Sequence, residues 1–123
     1  MALVNKRDLG GKKEALAAEF LMQEGYTIVR MNYKVRQAEI DIVAFDEARN
    51  VLVFVEVKYR ATGRSGSSLE AVTPAKQRKI SQVALFYMNQ MKINPETMNI
   101  RFDVVGIDGD RITHIENAFS FCA

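Results

Sequence analysis

The sequence predicts an α/β fold of about five strands with two helices, and three observations carry that expectation. Two stretches of helix-forming residues carry their own start and stop signals. Around them lie runs rich in β-branched and aromatic residues, bounded by turn signals. At 123 residues, 48% of them hydrophobic, the chain has the size of one compact domain, residues 1–123, with a sizeable core.

The first helix runs from Lys12 to Glu24, where strong helix formers dominate, and Gly25 is placed to end it as a C-terminal cap. Glu14 lies one turn before Ala17 and Ala18 and two before Leu21, on the side that should pack against a sheet. On local grounds Glu14 reads first as a first-turn acid favoured by the helix dipole, and second as part of a site. Tyr26 to Val35, Glu39 to Phe45 and Val51 to Tyr59 follow as three strands of a meander, with Asp46 to Asn50 as the hairpin turn between the last two. The Gly- and Ser-rich segment between Arg60 and Ser68, which carries Arg64, reads as a loop beside the end of the third strand.

Thr73 followed by Pro74 is an N-cap and a first-turn proline. Ile80, Val83, Ala84, Tyr87 and Met91 then recur at helical spacing, so a second helix should run to about Gln90 or Met91. Its first turns carry Lys76, Arg78 and Lys79, where the helix dipole is already positive. An anion such as a phosphate would relieve that repulsion, and an ordinary solvated basic face accounts for the pattern equally well. Asn94-Pro95 breaks the chain, Ile100 to Ile107 reads as a fourth strand, and Asp108-Gly109 turns it into a fifth from Arg111 to Ile115. Arg101 and Asp103 share one face of the fourth strand and read as structural or edge charges.

Composition excludes several functions. Formal net charge is only +2, so any nucleic-acid footprint must lie in where the charge sits. One cysteine, Cys122, and one histidine, His114, argue against an internal disulfide and a zinc site. Neither an apolar leader nor a membrane-length apolar run is expected, which points to a cytoplasmic protein with no membrane partner.

The chemistry-bearing pattern is Glu56-Val57-Lys58 at the end of the apolar run Val51 to Val55, with Glu39-Ile40-Asp41 opening the preceding strand. Strand alternation puts Leu52, Phe54, Glu56 and Lys58 on one face, and a turn centred near Ala48 and Arg49 sets Asp41 across from Glu56. Opposed like charges are destabilising, so the pair needs a cation, a proton or a bulge. A divalent metal held by hard oxygens beside a lysine ammonium is the arrangement that metal-assisted phosphoryl chemistry uses. A surface ion pair accounts for Glu-X-Lys taken alone. The acid placed opposite it favours a site.

Several segments carry a family resemblance when taken in order and spacing. They are Gly11 to Glu14 with Ala17-Ala18 and Phe20-Leu21, then Asn32-Tyr33, Glu39 to Ala44, and Leu52 to Lys58. Glu70 to Pro74 with Lys76, and Arg101 to Val105, complete the pattern. So arranged, the chain resembles the YraN-like family of uncharacterised bacterial proteins. That family is similar to the PD-(D/E)XK restriction-endonuclease-like superfamily, and within it to the archaeal Holliday junction resolvases.

The resemblance implies a restriction-endonuclease-like α/β fold with a mixed central sheet and one catalytic edge. It implies Asp41 and Glu56 as metal-binding acids, Lys58 as the motif lysine, and Glu14 as the acid of the first helix. Lys76, at the start of the second helix, falls where related nucleases often place a polar residue near the site. Ile40 stands where the superfamily's name has proline, and Ala38 and Lys13 replace common glycines.

Two functions from different classes follow. One is a Mg²⁺-dependent deoxyribonuclease, with Mn²⁺ as substitute, that cleaves branched or single-stranded DNA. In it Asp41, Glu56 and the Val57 carbonyl would hold the metal, Glu14 would support them, and a homodimer would supply paired sites. The other is a non-catalytic nucleic-acid-binding or interaction module that binds through Lys76, Arg78, Lys79, Arg60 and Arg64.

Overall fold

In a computed structural model, residues 11–36, 38–60 and 72–122 are described. Element order is α1 (Lys12–Gln23), β1 (Tyr26–Lys34), β2 (Glu39–Asp46), β3 (Val51–Arg60), α2 (Pro74–Gln90), β4 (Ile100–Asp108) and β5 (Arg111–Phe119). The five strands form one sheet in sequence order. It is mixed, because β3 and β4 run parallel while every other pair is antiparallel. The parallel pair needs a crossover, and α2 lies within it. The α/β fold with a mixed five-stranded sheet and two helices is thus the expected one, consistent with a restriction-endonuclease-like architecture.

Each face of the sheet carries one helix. On one side Ala17, Ala18 and Leu21 of α1 are buried against Ile28, Ile42, Val53, Val55 and Val105, the small alanines allowing close approach. On the other, Ile80, Val83, Ala84, Tyr87 and Met88 of α2 pack on Val43, Leu52, Phe54, Phe102 and Val104. Helix ends follow the local chemistry. Gly25 takes φ +96, and the Thr73 hydroxyl accepts from the Lys76 N–H at 3.2 Å. No helix among the described residues is long and apolar enough to cross a membrane.

Most element ends fall within one residue of expectation, and two features depart further. β5 runs on to Phe119, four residues past the expected end. A register shift between Phe102 and Val104 and a left-handed Asn117 (φ 55) keep the ladder together until Phe119 pairs with Phe102. In β1, Asn32 takes φ 48, a conformation asparagine tolerates better than most residues. It lies between the pairs Met31↔Ile42 and Tyr33↔Ile40, and so stands opposite Asp41. Strict alternation would put Ile40 and Ile42 on one face. Here Tyr33 and Ile40 join the α2 side while Met31 and Ile42 join the α1 side. The alternation of faces therefore slips by one residue at the position of Asp41.

Candidate active site: an acid pair at the rim of the sheet

The expected hairpin register holds. Asp46 pairs with Val51 and Ile42 with Val55, and continuing that register sets Asp41 against Glu56. The backbone ladder between β2 and β3 ends at Ile42↔Val55, where the faces switch beside the left-handed Asn32. Beyond it the Asp41 side chain takes over, its Oδ2 accepting from the Val57 N–H at 2.7 Å. A part-buried amide thus finds its acceptor, and the carboxylate is fixed at the strand edge.

Asp41 is 9% exposed and Glu56 7%, and the two carboxyls are hydrogen-bonded to each other. Burial, then the charge of Glu56, push the Asp41 pKa up to about 8, against the opposing pull of the Val57 N–H. Glu14 adds to the same negative field from α1. Its carboxylate folds back over the start of its own helix, where a Cβ on Gly11 would lie 2.8 Å from Oε1. The shift favours a proton shared by the two acids, which is one of the remedies that opposed carboxylates require.

A cation supplies the other remedy. Lys76 Nζ lies 2.6 Å from Glu56 Oε2, and this hydrogen bond raises the lysine pKa. Thr73 caps α2 so that Lys76 is presented to the end of β3. Lys58, two residues beyond Glu56 in β3, is half-buried and pairs in register with Gly106. It does not line the acid cleft and forms no ion pair with another described residue. The ammonium seated on the acid pair is that of Lys76. Sequence spacing favours Lys58 because it sits in the same strand, whereas Lys76 reaches the site only through the packing of α2 across the sheet.

The acids open into a cleft of about 500 Å³, walled by Ala38 and Glu39 on one side and by Thr73, Lys76, Lys79 and Ile80 on the other. Glu39, half-buried, is a further carboxylate here whose only sequence signal was its place in Glu39-Ile40-Asp41. Arg78 is exposed and does not line the cleft. Arg60 ends β3, and Arg64 lies outside the described residues, as does the loop expected between Arg60 and Ser68 apart from Arg60 itself.

Among the described residues, no three Asp, Glu, His or Cys side chains gather at metal-ligand spacing. The two-carboxylate set nonetheless suits Mg²⁺, which keeps several waters and is commonly held by one or two carboxylates. The donors are hard oxygens. The pair is short of positive charge, with a half-exposed lysine, 52% accessible, facing one of its two acids.

A second polar cluster lies toward the β2–β3 turn end of the sheet, on the α1 face. Asp103 accepts from Arg101 Nε at 2.8 Å and Nη2 at 2.9 Å and from the Asn117 N–H at 3.0 Å, and His114 Nε2 lies 2.7 Å away. Arg101 also reaches Asp46 at 3.1 Å and the Tyr26 hydroxyl at 2.6 Å. Burial works to raise the Asp103 pKa, and the donors together lower it. These charges are structural, as expected, and they belong to the interior of the sheet rather than an edge, since β5 covers β4. The part of His114 was not foreseen.

Comparison with known proteins decides the family. The profile of the uncharacterised protein family UPF0102 matches residues 13–107. The chain belongs to that family. A UPF0102 protein of Lachnoclostridium phytofermentans is 44% identical over 116 residues, covering 94% of this chain and 96% of that one. Another, from Chlorobium chlorochromatii, is 41% identical over 91% of both chains. The UPF0102 member from Vibrio campbellii is 38% identical over 98% of both. The YraN-like resemblance is met at this level. Among solved structures, that of Pyrococcus furiosus SfsA in complex with Ca²⁺ aligns at a TM-score of 0.33 and 10% identity, covering 85% of this chain and 60% of that one. A likeness of that size carries no argument.

Proposed function

We propose that this UPF0102 protein is a metal-dependent nuclease of the PD-(D/E)XK type, acting on phosphodiester bonds of branched or single-stranded DNA. The observation that carries the proposal is the buried Asp41–Glu56 pair, held together at the sheet rim and opening into a cleft bordered by Lys76 and Lys79. Burying two facing carboxylates costs stability. A fold that keeps them in one accessible cleft has put them where a divalent cation and an anionic substrate can meet.

Asp41 and Glu56, with the Val57 carbonyl, would hold Mg²⁺ or Mn²⁺. The ion would supply Lewis acidity and a water made more acidic. The chain's own contributions are distinct. The Val57 N–H orients the Asp41 carboxylate. Glu14 deepens the negative potential. Lys79 attracts the phosphate backbone, and Lys58 lies on the same strand face for the charge that develops on the phosphate. A homodimer would bring two such clefts to a four-way junction.

Replacing Asp41 or Lys58 with alanine, and assaying branched and single-stranded DNA with Mg²⁺ or Mn²⁺, tests the proposal. Cleavage is expected to fall at least ~100-fold in each variant. Undiminished cleavage in both dismisses the assignment.

One observation favours the second reading, a non-catalytic binding module: the Lys76 ammonium lies 2.6 Å from Glu56 and can serve as its counter-ion. Calorimetric titration with Mn²⁺ separates the two. Binding that disappears in the Asp41→Asn, Glu56→Gln double variant supports the nuclease, and no binding to the folded wild type supports the module.

A further inference from the structure

The acid cleft is the first section of a longer trough. Sharing Ala38 and Lys79 with it is a second cavity of about 470 Å³, lined also by Val35, Gln82, Phe86 and Asn89. A third of about 710 Å³ shares Val35, Phe86 and Asn89 and ends at Lys34, Arg36 and Gln90. Along α2 the lining residues 76, 79, 82, 86 and 89 recur at helical spacing, so one face of that helix forms a continuous wall. At 1.5 Å per residue the wall is about 20 Å long.

The chemistry of this wall is unusual for a solvated helix face. Phe86 is 64% exposed in the middle of it. Beside the ring stand the amides of Gln82 and Asn89, and the floor across from it is Val35 and Ala38. Lys79 lies toward the acid end, Lys34 and Arg36 lie at the far end, and among the described residues no acid lines either of the two outer sections. An open aromatic face among amide donors, between cations spaced along a groove, matches a single-stranded nucleic acid. Bases stack on such rings in any sequence, and the backbone follows the positive charges. Duplex bases have no free face for a ring.

We infer that this trough seats an unpaired stretch of nucleic acid leading to the acid cleft, with Phe86 as the platform on which a base stacks. The inference rests on the nuclease reading for the direction of the strand, and it names the substrate class as one with an unpaired segment. Two features single out this occupant over a second copy of the chain. The groove is continuous with the acid cleft, and its charge is complementary to phosphate and would repel an identical face.

The test is fluorescence anisotropy with labelled single strands of about 12 nucleotides, DNA and RNA, and a duplex of the same length. Excess chelator keeps cleavage out of the measurement. Phe86→Ala is expected to weaken single-strand binding roughly tenfold, Phe86→Leu about as much, and Phe86→Trp to restore it, with duplex binding changed less than about twofold. Because Phe86 is mostly exposed, the folded state should persist, and circular dichroism checks this.

Unchanged single-strand affinity in Phe86→Ala overturns the inference. So does an equal loss on duplex, or a change in sedimentation of the free protein without a change in affinity, which would make this face an interface between copies. The nuclease reading fails separately. Phe86-dependent binding with no metal-dependent cleavage removes catalysis and leaves the trough, whereas Asp41-dependent cleavage indifferent to Phe86 does the reverse.

Discussion

Asp41 and Asp103 are both buried carboxylates on interior strands of the same sheet, and their pKa values move in opposite directions. Burial is the largest influence on each and works to raise both. Asp103, with no exposure at all, is met by a bidentate arginine, a histidine and a backbone amide. Asp41 is met by one backbone amide and by another acid. The difference lies in the partners, and burial is common to both. Near the β2–β3 turn the fold supplies enough donors to complete the carboxylate. At the rim it withholds them from Asp41, and the Lys76 ammonium there contacts Glu56 instead.

The comparison breaks first on stability. Asp103→Ala leaves Arg101 with half its hydrogen bonds in the interior, and is expected to cost about 3–5 kcal/mol in urea unfolding. A cost under about 1 kcal/mol would mean that the network is not what holds this end of the sheet.

Asp41→Asn should have the opposite sign. The amide oxygen can still accept from the Val57 N–H, while the charge that faces Glu56 is gone. A carboxyl raised from 3.8 to about 8 in the fold makes the native state bind more protons than the unfolded chain between those values, so wild-type stability falls as pH rises through that window. At pH 8.5 Asp41→Asn is expected to be more stable than wild type by up to about 5 kcal/mol, with the gain vanishing toward pH 4. Asp103 runs the other way. Its stabilisation is present above the unfolded carboxylate range and is lost only as pH falls through its lowered value. Unfolding free energies of Asp41→Asn and wild type that stay parallel from pH 4 to pH 8.5 would remove the basis of the contrast.

How much of this was legible in the sequence differs between the two regions for a physical reason. The acid pair rests on strand alternation and hairpin register, both local rules, and the pairing of Ile42 with Val55 follows from the turn at Asp46 to Asn50. The helices were legible from Gly25 and from Thr73-Pro74 for the same reason. Contacts made across the sheet were not. His114 reaches Asp103 through the β4–β5 register, and Lys76 reaches Glu56 through the docking of α2. Neither distance is set by spacing in the chain. The left-handed Asn32 opposite Asp41 was hidden too, since Asn32-Tyr33 reads as an ordinary strand interior until its partner strand is in place.

The smallest expected effect sharpens the role of Lys76. Its ammonium contacts Glu56, yet its side chain is half exposed, so solvent screens the pair and Lys76→Met in chelator should cost only about 1 kcal/mol. That modest loss separates two accounts. If Lys76 is merely a structural partner, the loss is the same with or without a divalent ion. If it is the resident counter-ion of a cation site, ion and lysine compete for Glu56. Mn²⁺ should then bind Lys76→Met several-fold more tightly than wild type, by roughly the strength of the lost pair, and saturating Mn²⁺ should erase the difference in melting temperature. Lys76→Arg, which keeps the charge, should track wild type in both measurements. Equal Mn²⁺ affinity in Lys76→Met and wild type would mean that the lysine and the ion use different faces of Glu56. The lysine would then be a wall of the cleft and not a competitor for it.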